Sequence, residues 1–175
     1  MILSDTFKIS TEMAIITYND FPKIRKRYRR NKIVFCSGSF DLTHAGHVLF
    51  FEDCKKLGEI LVVVVGSDKM IKRNKSPERP VLNESIRLKT VASLKPVDFC
   101  VMEKTMRKHP LGHLTEAFKK LRPDFYAINK DAFDIPYRKM IAKKFNVKLV
   151  ILDRWCPPAF EDISTTKIIE KIKNL

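Results

Sequence analysis

The sequence has no apolar run long enough to cross a bilayer; the longest, Ile60 to Val65, falls far short of the ~20 residues that a membrane helix needs. It also lacks a basic leader followed by an extended apolar stretch, so no secretory signal is expected and the cytoplasm is the expected address. Cysteine is sparse. Cys36, Cys54, Cys100 and Cys156 form no C-x-x-C pair, and no histidine stands at zinc-finger spacing, which speaks for reduced, partly buried thiols and against a cysteine metal site. Internal repeats and low-complexity linkers are missing as well. Acidic residues are few beside the basic ones: 20 Asp and Glu against 34 Lys and Arg leave a net charge of +14. Such a balance favours polyanionic partners, whether nucleic acid, an anionic membrane or phosphorylated small molecules. Half of the surplus comes from residues 21–32, which carry seven cations and no acid and are expected to form a helix with a solvated basic face.

What remains is the composition of a folded domain. With 175 residues, 45% of them hydrophobic, the chain can bury a real core. From residue 32 onward, strand-like runs rich in Val, Ile or Phe (32–37, 60–66, 98–102, 124–128 and 147–152) alternate with helical segments (45–57, 83–94, 111–121, 136–145 and 164–172). That alternation predicts an α/β fold, a Rossmann-like doubly wound sheet of about five parallel strands with flanking helices. The unbroken Ile-Leu-Val-Val-Val-Val suits a strand buried on both faces. Prolines before the third and fourth of these strands, in Leu94-Lys-Pro-Val-Asp98 and Leu121-Arg-Pro-Asp124, end the preceding helices. Near the C-terminus, Ile168, Ile169, Ile172 and Leu175 make a helical stripe expected to lie on the sheet. Residues 1–20 show no clear period and are set aside as an N-terminal extension without an assigned role, leaving 21–175 as a single domain.

Chemistry concentrates at the turn from the first long strand into the first long helix, Ser37-Gly-Ser-Phe-Asp-Leu-Thr-His-Ala-Gly-His47. Open parallel sheets bind ligands at such turns. A helix N-terminus offers unpaired N–H groups and about half a positive charge, so it attracts phosphate before any side chain is considered. Gly46 lets a phosphate approach the backbone closely, and His44 and His47, three apart, can point at one anion. A second helix start lies at Ile163-Ser-Thr-Thr-Lys-Ile-Ile169. Ser164 alone would be an ordinary N-cap, but Lys167 stands where a self-capping helix prefers Glu or Gln, and a lysine there suits an anion. Between the two, residues 67–81 crowd Lys69, Lys72, Arg73, Lys75 and Arg79 into a loop at the same edge of the sheet.

The first motif resembles the G-x-F-D-x-x-H-x-G-H signature of the cytidylyltransferase-like nucleotidylyltransferases, and the second is similar to that family's I-S-T-T-x-I. Class I aminoacyl-tRNA synthetases share a similar H-x-G-H, but their lysine-rich second loop is not found. The resemblance runs from about residue 21 to the C-terminus and implies transfer of a nucleoside monophosphate from an NTP to a phosphorylated acceptor. It implies His44, His47 and Lys75 at the reacting phosphate. Ser39, Phe40, Asp41, Gly46, Asn129, Asp131, Ser164, Thr165 and Thr166 would be around the nucleotide, and Lys72, Arg79, Arg87 and Arg154 on the acceptor or the pyrophosphate. Mg2+ would arrive with the NTP, with no dedicated protein metal site. The chain departs from the family at Asn129-Lys130-Asp131, where a G-G-D or G-D-D turn is usual. The S-D-x-x-x-K-R-x-K-x-x-x-R-P-V of residues 67–81 resembles the branch that adenylylates heptose 1-phosphate. A CTP-dependent glycerol 3-phosphate enzyme fits the I-S-T-T-K-I equally well, and archaeal-type FMN adenylylation resembles the chain at residues 94–98. Related enzymes are often homodimers or larger. Outside enzymes, the charge would permit a nucleic-acid-binding module, against which stands the lack of stacking aromatics among the cations beyond Tyr28.

Overall fold

The computed structural model describes residues 15–103, 109–153, 156–160 and 163–175. Its elements run β1 (Ile15–Ile16), α1 (Phe21–Arg27), β2 (Ile33–Gly38), α2 (Ala45–Lys56), β3 (Ile60–Val65), α3 (Asp68–Asn74), α4 (Glu84–Ala92), β4 (Phe99–Met102), α5 (His113–Leu121), β5 (Phe125–Asn129), α6 (Ile135–Lys144), β6 (Lys148–Leu152) and α7 (Thr165–Lys173). The strands form one parallel sheet in the order β1-β4-β3-β2-β5-β6. From β2 the chain winds outward through β3 to β4, then crosses back to β5 and β6. The order therefore reverses between β2 and β5, where open α/β sheets form their ligand crevice.

Two-residue periodicity sorts the strands between two cores. On one face Ile33, Phe35, Val62, Val64, Tyr126 and Ile128 pack under α1, α5 and α6. There Phe118 of α5 meets Phe35 edge to face at 5.4 Å. On the other, Val34, Cys36, Leu61, Val63, Val65 and Ala127 pack under α2 and α4. Every residue of β3 is buried, as its uninterrupted aliphatic run requires. Cys36, Cys54 and Cys100 are free and buried, and Cys156 is exposed.

The aspartates that follow the helix-ending prolines register the strands. Asp98 accepts the Leu61 N–H at 2.6 Å and pairs with Lys55, so the start of β4 is tied to β3. Asp124 accepts the Ile33 N–H at 2.9 Å and pairs with Arg25 and Lys32, each at 3.0 Å, which ties β5 to β2. Burial alone would raise the Asp124 pKa, but the Ile33 N–H, Lys32 and Arg25 together hold it below the usual carboxylate value. Arg25 belongs to the basic segment, and its remaining bonds run to the Tyr28, Asn31 and Arg122 carbonyls. That segment thus sits at the amino ends of β2 and β5, the edge opposite the crevice.

Three expectations change. The sheet has six strands: Ile15 and Ile16 pair with Cys100 and Val101, and Tyr18 is buried in the first core, so residues 15–20 pack on the domain. Two residues are too short to show a period. Residues 67–81 are not all loop, because Ser67 accepts the Met70 N–H and opens α3, whose Ile71 is buried. The closing helix α7 buries none of its residues, and Ile172 and Leu175 are exposed. It is held by its first turn, where Thr165 Oγ1 donates to the Asp41 carbonyl at 2.8 Å. No helix among the described residues is long and apolar enough to cross a membrane.

Candidate active site

The turn after β2 is built around a buried aromatic. Phe40 has φ of 47° and Leu42 of 45°, left-handed values that cost an ordinary L-residue ~1–3 kcal/mol and persist only where neighbours enforce them. The Phe40 ring is the enforcing contact, packing on Phe51 at 4.9 Å and edge-on to His47 at 5.6 Å. It also passes so close to Gly38 that a Cβ there would stand 2.9 Å from it. Asp41 is buried, and its two carboxylate oxygens accept the Val81 and Leu82 N–H groups at 2.9 and 3.0 Å. Arg79 lies 3.6 Å from the same carboxylate. With its carbonyl held by Thr165, Asp41 fastens the signature turn, the segment after α3 and the start of α7 together.

His44 is the N-cap of α2 and His47 its third residue. His44 Nδ1 accepts the Gly46 N–H at 3.1 Å, and His47 Nδ1 accepts the His44 N–H at 3.4 Å. The two imidazoles therefore cap the helix as a serine and a glutamate do in an ordinary capping box. A ring whose Nδ1 accepts a backbone N–H carries its proton on Nε2, so the backbone sets both tautomers. The ring centroids are 4.1 Å apart.

Both rings line a cleft of about 320 Å³ that opens at the carboxyl ends of β2 and β5. Its wall takes Ser39, Phe40, Asp41 and Gly46 from the signature turn, Lys75 from the end of α3, Asn129 from the end of β5, Asp131 just after it, and Thr165 from α7. The two distant motifs thus meet: a Cβ at Gly46 would lie 3.6 Å from the Ile163 carbonyl. Ser164 caps α7 by accepting the Lys167 N–H at 3.2 Å. Thr166 faces an adjoining cavity of about 440 Å³ beside Lys75, Arg79 and Lys173. Lys75 also borders a third chamber of about 130 Å³ and so stands where three cavities join. Although the residue is exposed overall, partial burial of its ammonium group and then the Arg79 charge draw its pKa below the ordinary lysine value; Asp41 and Asp131 oppose the shift. Among the described residues, no group of three or more His, Cys, Asp or Glu is arranged to hold a metal ion.

Other expected residues lie elsewhere. Arg87 is fully buried, donating to the Leu82 and Ser39 carbonyls and pairing with Asp68 at 2.7 Å. Its guanidinium braces the turn and does not line the cleft. Lys72, in the last turn of α3, is exposed and lines none of the three cavities. Arg154 lies outside the described residues. Arg138 of α6 was not anticipated: it is buried, bonded to the Phe133 carbonyl at 2.7 Å and to the Tyr126 hydroxyl, and lines both the cleft and the third chamber. The signal for it was a cation three residues from Ile135 and three from Ile141, within an otherwise apolar helix stripe.

Comparison with known proteins agrees with this geometry. Residues 35–171 match the family model of the cytidylyltransferase-like domain, so the chain belongs to that family and is a nucleotidyltransferase. It is 34% identical over 171 residues to the bifunctional protein HldE of Helicobacter acinonychis, an alignment that covers 93% of this chain and 34% of that protein. The chain therefore spans about a third of that relative's length. It is also 34% identical over 148 residues to the FAD synthase of Ferroglobus placidus, covering 82% of this chain and 90% of the synthase. Among solved structures, the lipopolysaccharide core biosynthesis protein of Thermoplasma volcanium superposes with a TM-score of 0.59 at 27% identity, over 71% of this chain and 97% of the other.

Proposed function

We propose that the protein transfers AMP from ATP to a sugar phosphate such as heptose 1-phosphate and releases pyrophosphate. The observation that carries this reading is the meeting of the α2 and α7 starts, with His44, His47 and Thr165, on one cleft bordered by Lys75. Support for the acceptor class comes from the similarity to HldE and from the basic pattern of residues 67–81. An acceptor phosphate oxygen attacks the α-phosphorus in line; the new P–O bond forms as the bond to the β-phosphate breaks. The acceptor is already ionised at neutral pH, so no protein nucleophile is needed and catalysis reduces to positioning and charge stabilisation.

In this scheme the Nε2–H groups of His44 and His47 donate to the α-phosphate oxygens as negative charge gathers there. The first-turn amides of α7, with Thr165 and Thr166, hold the β- and γ-phosphates, and Lys75 neutralises the charge that moves onto the leaving group. Ser39, Phe40, Asp41 and Gly46 shape the nucleotide's bed, Asn129 and Asp131 face its nucleoside end, and Arg79 assists the pyrophosphate. Mg2+ enters bound to the triphosphate as part of the substrate. The residues act as one domain in the cytoplasm, where the NTP is supplied, with a homodimer as the expected assembly; the partners are small phosphorylated molecules, not nucleic acid or membrane.

A second reading has its own support. The FAD synthase matches along 90% of its length, which favours adenylylation of FMN. Against it, Asp98 of the Leu94–Asp98 segment is committed to registering β4. Pyrophosphate release, measured with each NTP against heptose 1-phosphate, glycerol 3-phosphate and FMN, decides the matter. ATP with the heptose is expected to give the highest kcat/KM; preference for CTP or for FMN would overturn the assignment.

A further inference from the structure

The chamber of about 130 Å³ beside the cleft contains an acid and a histidine that make no hydrogen bond among the described residues. Glu103, just past β4, and His113, the first residue of α5, are each 2% exposed. Among the described residues, neither carboxylate oxygen of Glu103 and neither ring nitrogen of His113 has a hydrogen-bond partner, although His113 Nδ1 approaches Glu103 Oε1 to 3.3 Å. Buried polar groups are almost always paired, and an unpaired carboxylate is among the most costly to keep. The Tyr18 hydroxyl, also buried and unpartnered, adds to the anomaly, and burial followed by the nearby Glu103 and Glu116 carboxylates pushes its pKa up.

The chamber shares Ser39, Lys75 and Arg138 with the cleft, so it opens onto the place where the α-phosphate would lie. Its charge is polarised: two cations stand at the shared rim and an acid stands inside. An anionic head group is repelled by the interior and held at the rim, while groups that donate hydrogen bonds are drawn inward. The rest of the wall is mainly apolar, with Val64, Met70, Leu111 and Phe133, and carries the polar groups of Ser37 and Asn74.

We propose that this chamber is the acceptor subsite, with Glu103 accepting hydrogen bonds from acceptor hydroxyls and thereby selecting hydroxylated phosphates over deoxygenated ones. The inference rests on the cleft being the nucleotidyl-transfer site. The phosphate head sits at the Arg138 side of the rim and presents an oxygen to the α-phosphorus; the hydroxylated body fills the chamber and replaces the missing partners of Glu103 and His113. A site built to bond a substrate hydroxyl discriminates strongly against an analogue lacking it, because the buried polar group is then left unpaired.

The test uses the full chain, the isosteric variant Glu103→Gln and three acceptor probes: heptose 1-phosphate, glycerol 3-phosphate and propyl phosphate, the last a deoxygenated counterpart of the second. ATP binding is measured separately by calorimetry. The wild type is expected to prefer each hydroxylated acceptor to propyl phosphate by about 100-fold or more in kcat/KM. Glu103→Gln is expected to raise the KM for the hydroxylated acceptor about tenfold while leaving ATP affinity unchanged. Wild-type indifference between glycerol 3-phosphate and propyl phosphate would overturn the proposal without any variant, as would an unaltered acceptor KM in a folded Glu103→Gln. Failure of the wild type to bind ATP would overturn the nucleotidyl-transfer reading, and this proposal with it. Intact ATP binding without hydroxyl selectivity would overturn this proposal alone.

Discussion

Adding one methyl group at Gly46 separates the catalytic from the structural part of the signature turn. A Cβ at that position would stand 3.0 Å from His44 Cε1 and 3.1 Å from its Nδ1, whereas the Ile163 carbonyl on the α7 side, at 3.6 Å, is at ordinary contact. Carbon contacts prefer ~3.5–4.0 Å, so in Gly46→Ala the His44 imidazole must retreat by about 0.5 Å. That stretches its 3.1 Å bond from the Gly46 N–H toward the limit of hydrogen bonding. Misplacement of a reacting group by 1 Å costs ~100-fold in rate, so half that displacement predicts a loss in kcat of about tenfold. Stability should hardly change, because exchanging Gly for Ala in a helix gains up to ~1 kcal/mol and the weakened cap loses about the same. The assay is pyrophosphate release beside a thermal melt. The expected outcome is a tenfold lower kcat and an unshifted Tm. A variant with wild-type kcat and Tm would refute the reasoning, because His44 could then move by half an ångström without consequence.

Four further outcomes are expected. His44→Ala or His47→Ala should lower turnover by on the order of 10²–10³, the cost of removing one donor to developing charge, and wild-type turnover would remove the histidines from the mechanism. Asp41→Asn keeps only one acceptor for the Val81 and Leu82 N–H groups and loses the pairing with Arg79, so denaturant unfolding should register a loss of about 1–3 kcal/mol together with a raised NTP KM. Because the folded-state pKa of Asp124 is depressed, its stabilisation is fully present above the ordinary aspartate value and is lost as pH falls through the lower folded value. Urea titrations of Asp124→Asn from pH 6 down to 2 should therefore converge with wild type at the acid end, and a constant gap across that range would contradict the assignment. Lys75 carries a lowered pKa, so its charge is lost somewhat below the ordinary lysine range and NTP binding should weaken as pH rises through that region. Lys75→Met should bind more weakly at neutral pH and lack that alkaline limb.

The parts of the fold that local patterning controls were legible in the sequence. Aliphatic runs such as Ile60–Val65 fix strands, and the turn residues around them fix their ends. The short β1 was not legible, because it exists only through pairing with β4. Nor was the exposure of α7: its Ile168–Ile172 stripe looks like a core face, yet a tertiary bond from Thr165 to Asp41 holds the helix. At the site, motif spacing located the two histidines and the Ser-Thr-Thr start, since each motif is contiguous. It misplaced Arg87, because a sequence does not distinguish a cation that meets phosphate from one that braces carbonyls and Asp68. Glu103 and His113 escaped notice because they lie ten residues apart and meet only in the folded chain.

The most direct test of the account is a crystal structure of the protein with Mg2+ and a non-hydrolysable ATP analogue. The α-phosphate should lie within hydrogen-bond reach of His44 and His47, and the terminal phosphates within reach of the first turn of α7 at Thr165 and Thr166. A nucleotide bound to only one of these helix starts, or away from the β2–β5 crevice altogether, would contradict it.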